Sequence, residues 1–474
     1  MAGYFSLGES KVRPGAYYNI QSRGEEAAYG AVDGVVAVLF QGKMGPLGKA
    51  TIINAADGYE KVFGTAGTTS ALREALYGGA LKLIAVRIGT GGTAPGVSLT
   101  AATGTVRFAA KYPGAANFTV TIRNKLADSD RKECVVYLDS EEYLKVAFAA
   151  GGNEVAALVA AFAENDMFDV TANVTENVTA SGVITNVSQS ALTGGVDPTV
   201  TNASYTAALS EVEKYYFNTI CIDTINADVE TLVSAFLDRI RDAGQFGIAV
   251  FGANSADTLE NRITAAAAFD KENVVYVVNP KAYAGSLELD GYQTAALIAG
   301  LIASTPSSDS VTHSIIERYT VLGERMTNSQ MEDAELGGCL VLSTNANDQI
   351  WIDSAVNTLI NLDADHDAGW KKIRRVKTRY ELLYRANAQA DALVGQVDND
   401  VNGRATIIAK IQAICNAMQE EGKLTQATVE ESEAYTADGD SCYFDIDVVD
   451  LDSAEHIYLM YHFQFSTVAS SATE

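Results

Sequence analysis

Beyond Gly34, short apolar runs alternate with stretches in which apolar residues return every three or four positions. Val35–Gln41, Leu81–Ile88, Phe217–Ile222, Gly247–Phe251 and Val274–Val278 read as strands buried on two faces. Between them, Ser70–Tyr77, Tyr205–Lys214, Ala227–Ala243, Thr258–Ala268 and Gly291–Ala303 predict helices, the third ending at Gly244, a residue suited to a left-handed C-cap. Thr51–Asn54 adds a short strand. Strand–helix alternation of this kind predicts an α/β core, a mostly parallel sheet with helices on both faces.

Residues 93–202 break the pattern: Thr, Val, Ala, Asn and Gly dominate. Thr105–Ala110, Phe118–Arg123, Cys134–Leu138 and Asp169–Val174 are strand candidates, interrupted by one helix, Glu154–Ala163. This predicts a β-rich domain inserted into the core, so that 25–92 and 203–350 form one α/β domain. Residues 351–454 follow as a C-terminal α+β part, with helices over Trp370–Leu393 and Gly403–Glu421 and a strand over Tyr443–Val449.

Both ends read as extended arms. In 1–24, the stretch Lys11–Asn19 has a Pro-Gly bend, then aromatic sequence without helical period; Val12, Pro14, Tyr17 and Tyr18 are its candidate pairing residues. Such a segment has too few apolar residues for its own core and suits pairing with a sheet edge elsewhere. In 455–474, Ile457, Leu459, Tyr461, Phe463 and Phe465 alternate with His456, Tyr458, Met460, His462 and Gln464. Bulky groups on both faces predict a terminal strand covered on two sides. Arg23–Gly24 and Leu451–Glu455 are the expected hinges.

The charge balance sharpens one feature. Across 474 residues, 34 Lys and Arg face 60 Asp and Glu, a formal net charge of −26. That argues against general nucleic-acid or anionic-membrane binding and keeps many copies soluble before assembly. Yet Trp370–Arg385 holds seven cationic side chains against one acid, Glu381. At helical spacing Lys371, Arg374, Arg375 and Arg379 share a face, opposite Ile373, Val376, Tyr380, Leu383 and Tyr384. A solvated face is the plain use of such a helix. The charge contrast makes Lys371, Lys372, Arg374, Arg375 and Arg379 candidates for docking an acidic partner.

Cys134, Cys221, Cys339, Cys415 and Cys442 are odd in number and form no CxxC pair, as expected of reduced thiols in a cytoplasmic protein. No basic-then-apolar leader opens the chain, and runs such as Ala295–Ala303 are too short to span a bilayer.

Catalytic and metal signals fall short. Gly42–Ala50 looks like a phosphate loop, but its glycine spacing is wrong, Pro46 removes a donor and Ala50 replaces the magnesium hydroxyl. Asp398–Gly403 opens like a calcium loop, yet Ala409 stands where the bidentate Glu belongs; a capping loop is the plainer reading. Asp363, Asp365 and Asp367 form a second acidic run, with Arg374 at its closing position. His313, His366, His456 and His462 form no metal-ligand spacing, and no G-x-S-x-G elbow is present.

Taken in order, Val12-Arg-Pro-Gly-Ala-Tyr-Tyr-Asn19, Leu72-Arg-Glu-Ala-Leu76, Ala110-Lys-Tyr-Pro-Gly114, Leu192-Thr-Gly-Gly195, Ala299-Gly-Leu-Ile-Ala303, Met326-Thr-Asn328, Val356-Asn-Thr-Leu359 and the ending around Ile457-Tyr-Leu-Met460 resemble the contractile tail sheath proteins of bacteriophages and phage-tail-like bacteriocins, in the group found in Gram-positive prophages. The resemblance spans nearly the whole chain; the Asp363–Asp367 loop departs from it. It implies a structural protein with no catalytic residue, metal or cofactor. Many copies would stack as hexameric rings around an inner tube, their terminal arms adding strands to sheets of neighbouring subunits. Contraction would drive the tube through a target envelope. Implied partners are further copies of the chain, the inner tail tube protein, and baseplate and tail terminator proteins, with no nucleic acid and no membrane. Assembly would occur in the bacterial host cytoplasm, before release as part of a virion or phage-tail-like particle. The basic helix would then contact the tube. The alternatives are an α/β nucleotide-binding enzyme and a surface or adhesin-like protein.

Overall fold

The computed structural model describes residues 33–463 except 66, 127 and 365, together with the backbone of Gly3–Tyr4 and Tyr17–Tyr18, which pair in parallel. Val12, Pro14 and Phe465, and the side chains of Tyr17 and Tyr18, lie outside the described residues.

The core begins with β1 (Val35–Phe40), β2 (Ala50–Asn54), helix α1 (Ser70–Tyr77) and β3 (Lys82–Arg87). After the excursion described below come α2 (Asn202–Val212), β4 (Thr219–Ile222), α3 (Ala227–Asp242), β5 (Ile248–Gly252), α4 (Leu259–Ala267), β6 (Val274–Val277), α5 (Gly291–Ser304), α6 (Asn328–Leu336) and β7 (Cys339–Leu340). The seven strands lie in the order β7-β6-β5-β4-β1-β3-β2, and only β2 runs antiparallel. This is the mostly parallel, doubly covered sheet that the alternation predicts. Along β1, Val36, Val38 and Phe40 join the core under α1 and α5, while Val35, Ala37 and Leu39 join the core under α2, α3, α4 and α6. An extended chain sends successive side chains to opposite faces, so a strand covered twice must be apolar throughout.

Between β3 and α2 the chain leaves the sheet and builds two four-stranded antiparallel sheets. Phe118 and Val120 of one face Phe108 and Val106 of the other across a shared core, closed by the helix Glu154–Ala161. After β7, helices α7 (Ile373–Leu393) and α8 (Val401–Glu420) precede an antiparallel pair, β8 (Leu424–Glu431) and β9 (Phe444–Asp450).

Two expectations for the C-terminal part need correction. β8 was not expected: only Leu424, Ala427 and Val429 are apolar in it, because one of its faces rests on α8 and the other meets solvent. The terminal strand expected over His456–Phe465 is not paired as a strand in its described part, 456–463, and no described residue covers it. Alternation records which faces a segment can offer, and this segment has no neighbouring strand among the described residues.

Glu230, in the first turn of α3, is 5% exposed, and its carboxyl has no hydrogen-bond or ion-pair partner among the described residues. Burial pushes its carboxyl up to about 8. A carboxyl raised on folding holds a proton that the unfolded chain releases, so its contribution is fully present below the unfolded value and is lost as pH rises towards 8. Glu230→Gln should therefore melt higher than the parent at pH 8, by on the order of 2 kcal/mol. The difference should shrink towards pH 5 in thermal scans.

Candidate assembly interface

Helix α7 is placed from both ends of the core. Asp367 Oδ1 accepts from Gly369 N (2.9 Å) and opens the turn that feeds the helix. Asn357 Nδ2 donates to the carbonyls of Trp370 (2.6 Å) and Glu272 (3.0 Å). Ile373, Val376 and Tyr380 then point into the core under α5, as the apolar side of the helix requires. Leu383, expected on that side, is 40% exposed.

The opposite side carries the expected cations, but it is not a free surface. Arg375 grips Asp450 at the end of β9 with two hydrogen bonds, Nε–Oδ2 at 2.9 Å and Nη2–Oδ1 at 2.5 Å. Arg379 adds Nε–Oδ2 at 3.0 Å, reaches Asp367 at 3.0 and 3.1 Å, and stacks over Trp370 at 4.4 Å. Lys372 Nζ lies 2.7 Å from Glu455 and 3.3 Å from Asp452. Arg374 is 6% exposed and donates to Ser453 Oγ (2.9 Å), and Lys371 donates to the Ile360 carbonyl (2.7 Å). The expectation of an open cationic front is thus corrected: the chain's own acids answer Lys372, Arg375 and Arg379, while a hydroxyl and a carbonyl take Arg374 and Lys371. The acidic loop ahead of the helix belongs to the same network through Asp367.

Electrostatics follow the geometry. Burial alone would raise the Asp450 carboxyl, but hydrogen bonds from Arg375 and Arg379 hold it below the usual carboxylate value. The Arg379 bond does the same for Asp367. Burial would lower Lys372, but Glu455 and Asp452 together raise it. Glu381, the lone acid of the basic run, is buried between Lys423 (2.8 Å) and Arg385 (2.5 Å). That pairing ties the start of β8 to α7. Charge-assisted pairs of this kind, largely out of water, lose several kcal/mol when one partner is removed.

Beyond Glu455 the anchoring stops. Ile457, Tyr458, Leu459, Met460, Tyr461 and Phe463 are between 68% and 90% exposed. An apolar run this exposed is unusual in a chain that works alone. Next to its root, β8 and β9 form a sheet of only two strands, so each has an unpaired outer edge among the described residues. A groove of about 390 Å³ runs between α7 and this pair, lined by Trp370, Leu382, Leu383, Leu424, Ile446 and Val448 among others. The acids that anchor the root, Asp450, Asp452 and Glu455, escaped the sequence reading. Their signal was a cluster of carboxylates opposite in sign to the basic run, but pairing across about 75 residues cannot be read from helical spacing.

The other candidate sites resolve into structural roles. The Gly42–Gly45 loop turns carbonyls, not N–H groups, inwards: the buried Arg87 donates to Gly42 O and Gly45 O, each at 2.8 Å. Asp400 caps α8 by accepting from Gly403 N (2.7 Å). His366 Nδ1 lies 2.8 Å from Asp363 Oδ1. The strand order reverses between β1 and β4, the place where open α/β sheets take ligands. There Asp223 fills the crevice, accepting from Gln41 N (2.5 Å) and Tyr205 Oη (2.8 Å), with its carboxyl pushed up to about 6 by burial. No helix of the described chain is long and apolar enough to cross a membrane.

Residues 199–358 match the family model described as the phage tail sheath protein central domain. The phage-like element PBSX protein XkdK of Bacillus subtilis (strain 168) is 22% identical, over 96% of this chain and 98% of its own length. The sheath tail protein of Desulfitobacterium hafniense shares the fold with a TM-score of 0.69 at 22% identity, covering 92% of this chain and all of that one. The helical sheath of the anti-feeding prophage in its contracted state shares it at 0.52 and 13% identity, over 96% of this chain and all of that one. The match to this central domain thus sits in a chain whose fold is shared with solved sheath proteins along nearly its full length.

Proposed function

We propose that the chain is the structural subunit of a contractile tail sheath, in which copies join by exchanging terminal strands. The observation that carries this reading is an apolar segment, 456–463, exposed along its length while its root is clamped to α7. An exposed segment costs nothing to hold out if its partner is another copy, because strand addition then buries its side chains and completes its ladder. The open edges of β8 and β9 and the adjoining apolar groove offer the matching seat, where Ile457, Leu459, Tyr461 and Phe463 would lie. Val12, Pro14, Tyr17, Tyr18 and Phe465 remain candidates for the same exchange.

In this reading the subunits stack as hexameric rings around an inner tube and become part of a phage-type particle with a baseplate and a terminator. Such a particle would assemble in the host cytoplasm. Work is drawn from a metastable assembly, with no chemical step assigned to the chain. Arm ladders can persist through a large rigid-body rotation when the chain bends between β9 and the arm.

The role assigned to Lys372, Arg374, Arg375 and Arg379 changes accordingly. We assign them to holding the arm root, in place of a direct tube contact. Arg375→Glu with Arg379→Glu would face Asp450 with like charge and cost about 3 kcal/mol at the root. The parent should form long polymers or short tubes in sedimentation and negative-stain microscopy, and the double variant should lose most of them. A parent that stays monomeric at high concentration overturns the sheath reading; a double variant that polymerises normally overturns the role of the cations.

A further inference from the structure

Ala364, Asp367 and Trp370 form one wall of the groove beside the arm root, and His366 ties that wall to the core. Asp363 Oδ1 accepts from the His366 backbone N (2.9 Å) and lies 2.8 Å from its ring Nδ1. On the other side of the ring, Nε2 faces Glu272 Oε2 at 3.9 Å, two residues before β6. Glu272 is fixed in place: its side chain is 6% exposed, and Oε1 accepts from Arg241 Nη1 of α3 (2.5 Å) and Tyr380 Oη of α7 (3.0 Å). The ring also meets Trp370, with centroids 5.6 Å apart, and Arg379 covers Trp370 at 4.4 Å. The charged groups around the imidazole are thus Asp363 and Asp367 from its own turn, Glu272 from the core, and two cations that already hold acids, Arg241 on Glu272 and Arg379 on Asp367.

A carboxylate can only accept, so the ring hydrogen facing Asp363 is on Nδ1. A neutral imidazole has no second N–H, and its Nε2 lone pair then stands against the Glu272 carboxylate. A charged ring donates from both nitrogens and attracts both acids. Imidazoles ordinarily change charge between about pH 5 and 8.

We infer that His366 is a proton-read clasp on the arm seat. Charged, it ties Asp363 to Glu272 and holds Asp367 and Trp370 where they complete the groove, so the seat stands preformed for a strand from another copy. Neutral, it lets go of Glu272 and that wall loosens. The link to the seat rests on the arm reading, while the clasp itself is read in the isolated chain.

Hydrogen exchange in the full chain, below the concentration at which it polymerises, tests the clasp over residues 366–371. There Trp370 N donates to Asp367 O (3.1 Å) and Gly369 N to Asp367 Oδ1 (2.9 Å). His366→Gln stands in for the neutral ring. At pH 5.5 these amides should exchange about fivefold faster in His366→Gln than in the parent, and at pH 8 the two should coincide. Rates that match at pH 5.5, or that differ equally at both pH values, overturn the clasp. His366→Gln should also need about threefold more protein than the parent to polymerise at pH 5.5, and no more at pH 8. Both chains carry the same arm, so His456 and His462 cancel in that comparison. Exchange as expected with no shift in polymer onset overturns the groove as the arm's seat and leaves the clasp in place.

Discussion

Ending the chain at Glu455 is expected to abolish polymer formation while leaving the melting temperature of the isolated chain unchanged. The side chains removed from the described part, Ile457 to Phe463, are mostly in water in the single chain, so cutting them removes little intrachain burial. Leu451 N still donates to Lys423 O (3.0 Å), and Asp450, Asp452 and Glu455 still meet α7, so the root stays in place. In an assembly the same residues would add ladder hydrogen bonds, each contributing about 1 kcal/mol net. Burial of several large apolar side chains would add about 1.5–3 kcal/mol each. A lattice repeats that contact at every subunit, so its loss should be all-or-none in sedimentation and negative-stain images. Polymers at parental yield from the truncated chain would show that the exposed run is not what joins the copies. A fall in melting temperature would show that it belongs to its own subunit.

What could be read beforehand divides along a physical line. The core strands were legible because double burial demands unbroken apolar runs, as in Val35–Phe40. Helix α3 was legible because a one-sided helix repeats its apolar positions, and Gly244 follows it at φ +82°. Strand β8 was not, since Thr425, Gln426, Glu430 and Glu431 are exposed and only cross-strand pairing to β9 fixes it as a strand. The alternation at 456–463 was legible as a capacity for pairing, while the absence of a partner among the described residues was not. The basic helix gave its face from spacing alone, but the meaning of that face lay in Asp450 and Glu455, far along the sequence. Several pieces of the family resemblance acquire reasons in the fold. Glu74 is fully buried against Arg318 (3.1 Å), Asn357 fixes the entry to α7, and a Cβ on Gly300 would stand 2.1 Å from the Ala75 carbonyl, where α1 crosses α5.

Arg87→Met should cost about 3–5 kcal/mol and uncouple the inserted sheets from the core. Arg87 is fully buried at the end of β3, and its guanidinium donates to three carbonyls: Gly42 O and Gly45 O at 2.8 Å, and Pro113 O at 2.7 Å. The first two belong to the loop after β1, the third to the excursion. Burial lowers its pKa to about 10, with Asp197 acting against that, and it stays charged at neutral pH. Beside it the two units touch backbone to backbone: a Cβ on Gly114 would stand 1.9 Å from the Lys43 carbonyl, so only glycine fits. Methionine fills much of the volume but leaves three buried acceptors without donors, each costing about 1–3 kcal/mol before relaxation. Because the inserted sheets have their own aromatic core around Phe108, Phe118 and Phe168, they should remain folded when this joint fails. The expected calorimetric trace splits into two transitions, the lower one shifted down. Arg87→Lys keeps the charge but brings one point donor where a planar fork served three acceptors, so it should fall between parent and methionine. A loss below about 1 kcal/mol in the methionine variant, or a single unsplit transition, would mean that the glycine contact and not the arginine holds the joint.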